Sequence, residues 1–153
     1  MPAPTVQSLP LFQGLDQKTL DLIIPRFEYE TFLKDEVVFE QNARAVKLYI
    51  LVDGKVEIRF KPEDGETLTV TEIEEGGVFG WSAALGRDSY TSCAVSVSPS
   101  TAFSVLGKEL KHLCEQYPDT GVIILERMAE VIAQRLQKTH TFVVEILREG
   151  IKS

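Results

Sequence analysis

The stretch GGVFGWSAALGRDSYTSCAV, Gly76 to Val95, contains the residues of this chain whose types and spacing are suited to holding an anion. Gly76, Gly77 and Gly80 have no side chain to keep a ligand away from the backbone. A nest of successive backbone N–H groups attracts a phosphate or another small polar group. We therefore predict a phosphate-binding loop here.

Residues with catalytic potential are isolated from one another. GWSAA comes close to the Gly-x-Ser-x-Gly elbow of hydrolases, but it lacks the last glycine and the strand-to-helix setting. We therefore interpret Ser82 as a cap or loop hydroxyl. His112 and His140 lack the second ligand that a haem or a metal site needs, and His140 is interpreted as a surface-packing residue. We predict that the protein is not an enzyme and has no metal site.

The composition suits one compact domain covering residues 1–153, since 44% of the residues are hydrophobic. Sixteen basic and 23 acidic residues give a net charge of −7, without a dense basic cluster, which disfavours direct nucleic-acid binding. No stretch resembles a signal peptide or a membrane span, so we expect a cytoplasmic protein without a membrane partner. Cys93 and Cys114 lie outside CxxC and Cys/His clusters and are predicted to be buried structural thiols.

A short helix is predicted in the N-terminal segment, residues 1–26. Asp16 is placed to cap it, and Pro25 ends it. The apolar residues that repeat between them are Leu15, Leu20, Ile23 and Ile24.

The segment 27–106 has the period of two that is typical of strands. VVF, KLYILV, KVEIRF, LTVTEI and TAFSVL are rich in β-branched and aromatic residues and are separated by turns, which predicts about eight strands. Asp53-Gly54 suits a type I′ hairpin, Glu63-Asp64-Gly65 closes a second hairpin, and Gly76-Gly77 marks another reversal. Short antiparallel strands without intervening helices predict a mainly β jelly roll with flanking helices.

The segment 107–149 is predicted to be helical. KELKHLCEQY forms a short helix before Pro118, and a helix of about thirty residues runs from Asp119 to Arg148. Along it, apolar residues alternate in steps of four and three, as in a coiled-coil seam. The seam residues are Leu125, Ala129, Ile132, Leu136, Thr139, Val143 and Ile146. We predict a parallel homodimer through this long dimerisation helix, the alternative being that the stripe packs only on the chain's own barrel.

Three stretches resemble the cyclic nucleotide-binding domain of the catabolite-activator family of bacterial regulators. These are LYILVDGKVEI, EGGVFG and PLFQGLDQKTLDLI, and the resemblance covers nearly the whole chain. It implies a double-stranded β-helix with an N-terminal helix and a long C-terminal helix. Asp35 and Asn42 depart from the family's turn residues, but both residue types tolerate left-handed geometry, so the fold is expected to be kept.

The resemblance also implies a ligand site. In the family the loop reads Phe-Gly-Glu and continues, after a helical turn, to an arginine and a small residue; the amides and the arginine hold the cyclic phosphate, and the glutamate takes the ribose hydroxyl. Trp81 stands here at the glutamate position and Tyr90 at the arginine position. The ligand-binding set carried over is Gly76, Gly77, Val78, Phe79, Gly80, Trp81, Ser82, Ala83, Arg87, Tyr90 and Thr91.

The two replacements predict weak or altered cyclic-nucleotide binding. Losing a bidentate charged contact costs about 2 to 4 kcal/mol, or roughly thirty- to a thousandfold in affinity. Arg87 either turns into the vacancy or stays at the surface beside Asp88, and we expect the second. Trp81 and Tyr90 either stack on a ligand or fill the pocket, and the sequence leaves both open.

These features predict an intracellular ligand-sensing regulatory module. Its ligand is a cyclic nucleotide or another small anionic or aromatic molecule, and no other cofactor is expected. In the family's regulators a DNA-binding domain follows the long helix, whereas this sequence ends at Ser153, so we expect the output to pass through an effector protein. The alternative is a dimerising scaffold with a vestigial pocket that binds a partner protein.

Overall fold

The structure of the chain, a computed structural model, describes residues 12–152; beyond position 131 of the last helix it describes the side chains at 133, 134, 144, 147 and 148 only. Four α-helices and eight strands follow in chain order. They are α1 (Gln17–Ile23), β1 (Phe27–Phe32), β2 (Val37–Phe39), β3 (Lys47–Asp53), β4 (Val56–Phe60), β5 (Leu68–Ile73), β6 (Val78–Phe79), α2 (Trp81–Ala84), β7 (Cys93–Ser96), β8 (Ser100–Leu106), α3 (Gly107–Gln116) and α4 (Pro118–Lys152).

The strands form two antiparallel four-stranded sheets with the orders β1-β8-β3-β6 and β2-β7-β4-β5. One buried cluster, which includes Leu51 and Ile58, lies between the sheets. A second cluster lies between the first sheet and the helices. Strand β3 is buried on both faces over Leu48 to Leu51, which explains its unbroken apolar run LYILV. The mainly β jelly roll with flanking helices is confirmed.

Local cap and turn chemistry is as predicted at several positions. The Asp16 carboxylate caps α1 by accepting a hydrogen bond from the Thr19 N–H group at 2.8 Å, and hydrogen bonding from the Thr19 side chain together with this N–H group lowers the pKa of Asp16. Asp35 and Asn42 adopt the left-handed φ angles of 69° and 71° that their residue types tolerate. Strands β4 and β5 pair across the predicted turn at residues 63–65.

The predicted hairpin at Asp53-Gly54 is wrong. Strands β3 and β4, which this turn joins, belong to different sheets, so the turn is a corner between the layers. Gly54 is required there because its φ is +100° and a Cβ would collide with the Ser100 hydroxyl and the Pro99 carbonyl oxygen.

The C-terminal helices match their predicted positions. Helix α4 begins at Pro118, a favoured first helical residue, and its 35 residues give a length of about 52 Å. Ile124 and Met128 are buried against the sheet and α3, whereas Leu125 and Ala129 are exposed. The side chains of the other seam residues lie outside the described part; these are Ile132, Leu136, Thr139, Val143 and Ile146.

Candidate functional site

The glycine-rich loop is held against β3 by its own backbone. The Gly76 N–H group donates to the Leu51 carbonyl oxygen at 2.7 Å, and the Gly77 N–H group donates to the Glu74 carbonyl oxygen at 2.9 Å. Both amides are therefore bonded within the fold, and fewer donors remain for an anion than the sequence indicates.

Gly80 sets the direction of α2. Its φ is +82°, and a Cβ there would lie 2.8 Å from the Lys47 carbonyl oxygen, so a side chain would force the loop away from β3. The Ala83 N–H group bonds back to the Gly80 carbonyl oxygen at 3.2 Å. The amides of Trp81 and Ser82, in the first turn of α2, are those that helix geometry leaves without an intrahelical partner.

Tyr90 occupies the interior of the site. Its side chain is 4% exposed, and its ring stacks on Phe39 with centroids 3.8 Å apart and an interplanar angle of 13°. The phenol donates to the Lys47 carbonyl oxygen at 2.6 Å and accepts from the Lys47 N–H group at 3.0 Å. Burial raises the pKa of Tyr90, so the phenol stays neutral at physiological pH.

Tyr90 is one member of an aromatic cluster formed by Phe39, Tyr49, Phe79 and Tyr90. The Tyr49 and Phe79 rings lie 5.1 Å apart at 12°, and Phe39 stacks on both at longer distance. Burial also raises the pKa of Tyr49. Of the two roles that the sequence left open for Tyr90, filling the pocket is the one found in the structure.

Trp81 takes a different direction. Its half-buried indole packs against the helix-side core, and the same residue lines the small cavity beside Tyr90. The Nε1–H group is buried and has no hydrogen-bond partner among the described residues. A buried unpaired donor is costly, so an acceptor that reached this group would be stabilised by it.

The cavity has a volume of about 90 Å³. Pockets for drug-sized ligands measure roughly 300 to 1,000 Å³, so this one holds a few water molecules or a small anion. Its lining consists of Phe39, Ile58, Gly80, Trp81, Ser82, Tyr90, Thr91 and Ser92. Phe39, Ile58 and Ser92 are not among the sequence-predicted site residues, because their approach depends on how the sheets pack.

The other sequence-predicted site residues lie elsewhere. Gly76, Gly77 and Val78 line a separate depression, and Phe79 is fully buried between the sheets. Ala83 and Arg87 line a groove on the helix side, where Arg87 is exposed and forms no ion pair with the residues that the structure describes. Arg87 therefore stays at the surface, as expected, and does not replace the missing arginine.

The family model for the cyclic nucleotide-binding domain matches residues 29–117, more than half of the chain. The chain belongs to the cyclic nucleotide-binding domain family. Within this domain, the matched region contains all eight strands except the first two residues of β1, together with α2 and α3.

Relatives of this cyclic nucleotide-binding domain occur in proteins of different kinds. A CRP-like cAMP-activated global transcriptional regulator of Mycobacterium tuberculosis is 23% identical over 137 residues, which cover 90% of this chain and 59% of the regulator. Potassium channel KOR1 of Oryza sativa is 34% identical over 82 residues, 54% of this chain and 10% of the channel. The domain thus spans less than two thirds of either relative.

A solved structure supports the same assignment. A candidate cyclic nucleotide-binding protein from Geobacter metallireducens GS-15 superposes with a TM-score of 0.73 and 26% identity, covering 84% of this chain and 92% of that one.

Other chemistry is sparse in the described part of the domain. No group of His, Cys, Asp and Glu side chains there is arranged to hold a metal ion. No described helix is both long and apolar enough to cross a bilayer. Cys93 and Cys114 are free and half-buried, rather than fully buried as predicted. Ser82 is buried beside the cavity, but no histidine lines the cavity with it.

Proposed function

We propose that this domain is a ligand-sensing regulatory module whose pocket is contracted, so that cyclic AMP and cyclic GMP bind weakly. The observation that carries the proposal is the buried Tyr90 ring, stacked on Phe39 and bonded twice to Lys47, at the position where the family resemblance puts the phosphate-binding arginine.

A nucleotide must displace Tyr90 before it can enter. The phenol exchanges two hydrogen bonds with the Lys47 backbone, each worth about 1 kcal/mol, and the buried ring contributes about 1.5 to 3 kcal/mol. The Tyr90 backbone is also fixed, since its N–H group donates to Ala43 and its carbonyl oxygen accepts from Asn42. The free energy needed to displace Tyr90 adds to the binding free energy lost with the arginine. Together they raise the expected dissociation constant for a cyclic nucleotide from micromolar towards millimolar.

The groups that remain around the cavity favour a smaller ligand. They are donors and hydroxyls, namely the unpaired Trp81 Nε1–H, the first-turn amides of α2, and the hydroxyls of Ser82, Thr91 and Ser92. A ligand that presents a compact acceptor or anion satisfies the buried indole donor. We propose such a molecule as the natural effector of this site.

A calorimetric titration tests the proposal. We expect no binding of cyclic AMP or cyclic GMP by the natural chain at micromolar concentration. The Trp81→Glu/Tyr90→Arg variant is expected to gain about thirtyfold or more in affinity. Tyr90→Phe, which keeps the ring and adds no charge, is the matched control; it removes only the two phenol hydrogen bonds from the displacement cost, so its gain should stay well below that of the double variant.

Micromolar binding of either nucleotide by the natural chain would refute the contracted pocket. No gain in a folded double variant would show that more of the site than these two side chains has changed.

We further propose a homodimer through α4. Leu125 is 56% exposed and Ala129 is exposed, while Ile124 and Met128 on the adjoining face are buried in the domain's own core. An apolar stripe on a face that the domain does not cover is suited to a second copy. Sedimentation should give a dimer, and Leu125→Glu should dissociate it. Leu33→Glu, at an exposed leucine in the β1–β2 turn, should leave the dimer intact.

The rival function is a dimerising scaffold whose pocket has lost its ligand. The closely stacked aromatic cluster favours it, because stacked rings can fill a site permanently. Mass spectrometry of the gently purified protein separates the two. A stoichiometric small molecule supports sensing, and its absence, together with no thermal shift from a panel of small anions, supports the scaffold.

A further inference from the structure

A second and larger concavity lies on the helix side of α2, away from the aromatic cluster. It has a volume of about 770 Å³ and is enclosed by α2, α3, the start of α4 and the loop before β3. This concavity shares no lining residue with the small cavity beside Tyr90. We call this concavity the helix groove.

The floor of the helix groove is apolar and buried. Ala83, Leu110, Ile124 and Met128 contribute to it, and all four are buried. Leu85 also lines the groove and is largely exposed, and Leu125 lines the groove at the edge that it would share with the proposed α4 dimer. Covering this exposed apolar surface with a hydrocarbon chain is favourable, because the surface is then removed from water.

Four cationic side chains line the helix groove: Arg44, Arg87, Lys108 and Lys111. All four are exposed, and none forms an ion pair with another described residue. No aspartate or glutamate lines this groove within the described part of the chain, although the chain as a whole carries −7. A local excess of four positive charges on an acidic protein favours an anionic partner.

The volume of the helix groove suits a small molecule better than a protein segment. A helix of about 10 Å diameter fills roughly 80 Å³ per ångström of length, so 770 Å³ holds less than two turns. The same volume lies within the range of small-ligand pockets. We propose that the helix groove binds an anionic amphiphile, a single aliphatic chain with a carboxylate or phosphate head, with the chain on the apolar floor and the head among the four cations.

This proposal is independent of the cyclic-nucleotide pocket, and it predicts a dependence on chain length. Burying one methylene group improves affinity by about fourfold. Dodecanoate has six more methylene groups than hexanoate and should therefore bind up to about four-thousandfold more tightly, if the apolar floor is long enough to cover all six. The charge of the head should matter as well, so dodecylamine should bind far more weakly than dodecanoate.

Cys114 provides the readout because it lines the helix groove and is half-buried. Cys93→Ser leaves Cys114 as the sole cysteine of the chain. Burial raises the pKa of the Cys114 thiol, so its modification by the neutral reagent dithiodipyridine is followed at mildly alkaline pH. Dodecanoate, kept below its micellar concentration, should slow this modification in a saturable way, and hexanoate at equal concentration should not.

Charge reversal identifies the head-group contacts. Arg87→Glu/Lys111→Glu should raise the half-protecting concentration of dodecanoate by about tenfold. Lys34→Glu is the matched control, because Lys34 follows β1 at the Ser100 end of β8 whereas the groove lies at its Leu106 end. This control should change the value by less than about twofold.

Three outcomes would overturn the proposal. The first is protection of Cys114 by dodecylamine equal to that by dodecanoate, or a loss of dodecanoate affinity in Lys34→Glu equal to that in Arg87→Glu/Lys111→Glu. Either result would show that the four cations do not bind the head group. The second is protection of Cys114 that rises with protein concentration in the absence of ligand, which would make a second copy the occupant. The third is stronger protection by an acidic amphipathic peptide than by dodecanoate, which would assign the helix groove to a protein partner.

Discussion

The Tyr90→Phe substitution tests whether the phenol is a structural anchor. It keeps the ring on Phe39 and removes only the hydroxyl, which donates to the Lys47 carbonyl oxygen and accepts from the Lys47 N–H group. Each lost hydrogen bond costs about 1 kcal/mol, and the buried Lys47 groups lose their partner. We expect the free energy of unfolding to fall by about 2 kcal/mol.

Thermal and urea unfolding followed by circular dichroism measure this change. For a domain of this size, 1 kcal/mol corresponds to about 2 to 4 °C, so the unfolding temperature should fall by about 4 to 8 °C. Tyr29→Phe is the matched control, because Tyr29 is exposed and the hydrogen bonds of the described residues do not involve its hydroxyl. It should lie within about 0.5 kcal/mol of the natural chain. Equal effects of the two substitutions would refute the anchoring role.

Gly80→Ala should be more destabilising than Gly86→Ala, because both glycines have a positive φ but only Gly80 would bring a Cβ within 2.8 Å of the Lys47 carbonyl oxygen. Chemical unfolding of both variants measures the difference, and equal losses would contradict the close contact. Stability should also fall as the pH rises above about 10, since burial holds the phenols of Tyr49 and Tyr90 protonated while the unfolded chain releases those protons. The slope per tyrosine is at most about 1.4 kcal/mol per pH unit, so Tyr49→Phe should flatten the alkaline limb of a pH series; an unchanged limb would contradict this assignment.

Much of the fold follows from the sequence because its signals are local. The period of two, the Asp16 cap and the left-handed tolerance of Asp35 and Asn42 each involve residues close in the chain. The Asp53-Gly54 turn was misjudged because an Asp-Gly pair specifies a sharp bend but does not specify whether the following strand pairs with the preceding one. That choice depends on the packing of Gly54 against Ser100, which is distant in sequence.

The position of the candidate site could be predicted from the sequence, but the filling of its pocket by a side chain could not. The family resemblance located Trp81 and Tyr90, whereas the stacking of Tyr90 on Phe39 joins a residue of the α2–β7 loop to strand β2, which is distant in the chain. The hydrogen bond that occupies the Gly76 amide also depends on a tertiary contact, with Leu51, whereas the Gly77 amide bonds within its own turn, to Glu74. A glycine-rich motif shows that the backbone approaches something closely; here that neighbour is the domain's own β3.

The uninterrupted length of α4 has a mechanical consequence. The helix is anchored in the core at Ile124 and Met128 and continues to Lys152, about 36 Å beyond Met128 at 1.5 Å per residue. A straight helix works as a lever, so a tilt of about 5° at the anchor moves the distal end by about 3 Å. The anchor residues also form part of the floor of the helix groove. A change in packing too small to alter the β-roll would thus be read out at the distal end as a displacement close to the width of an atom.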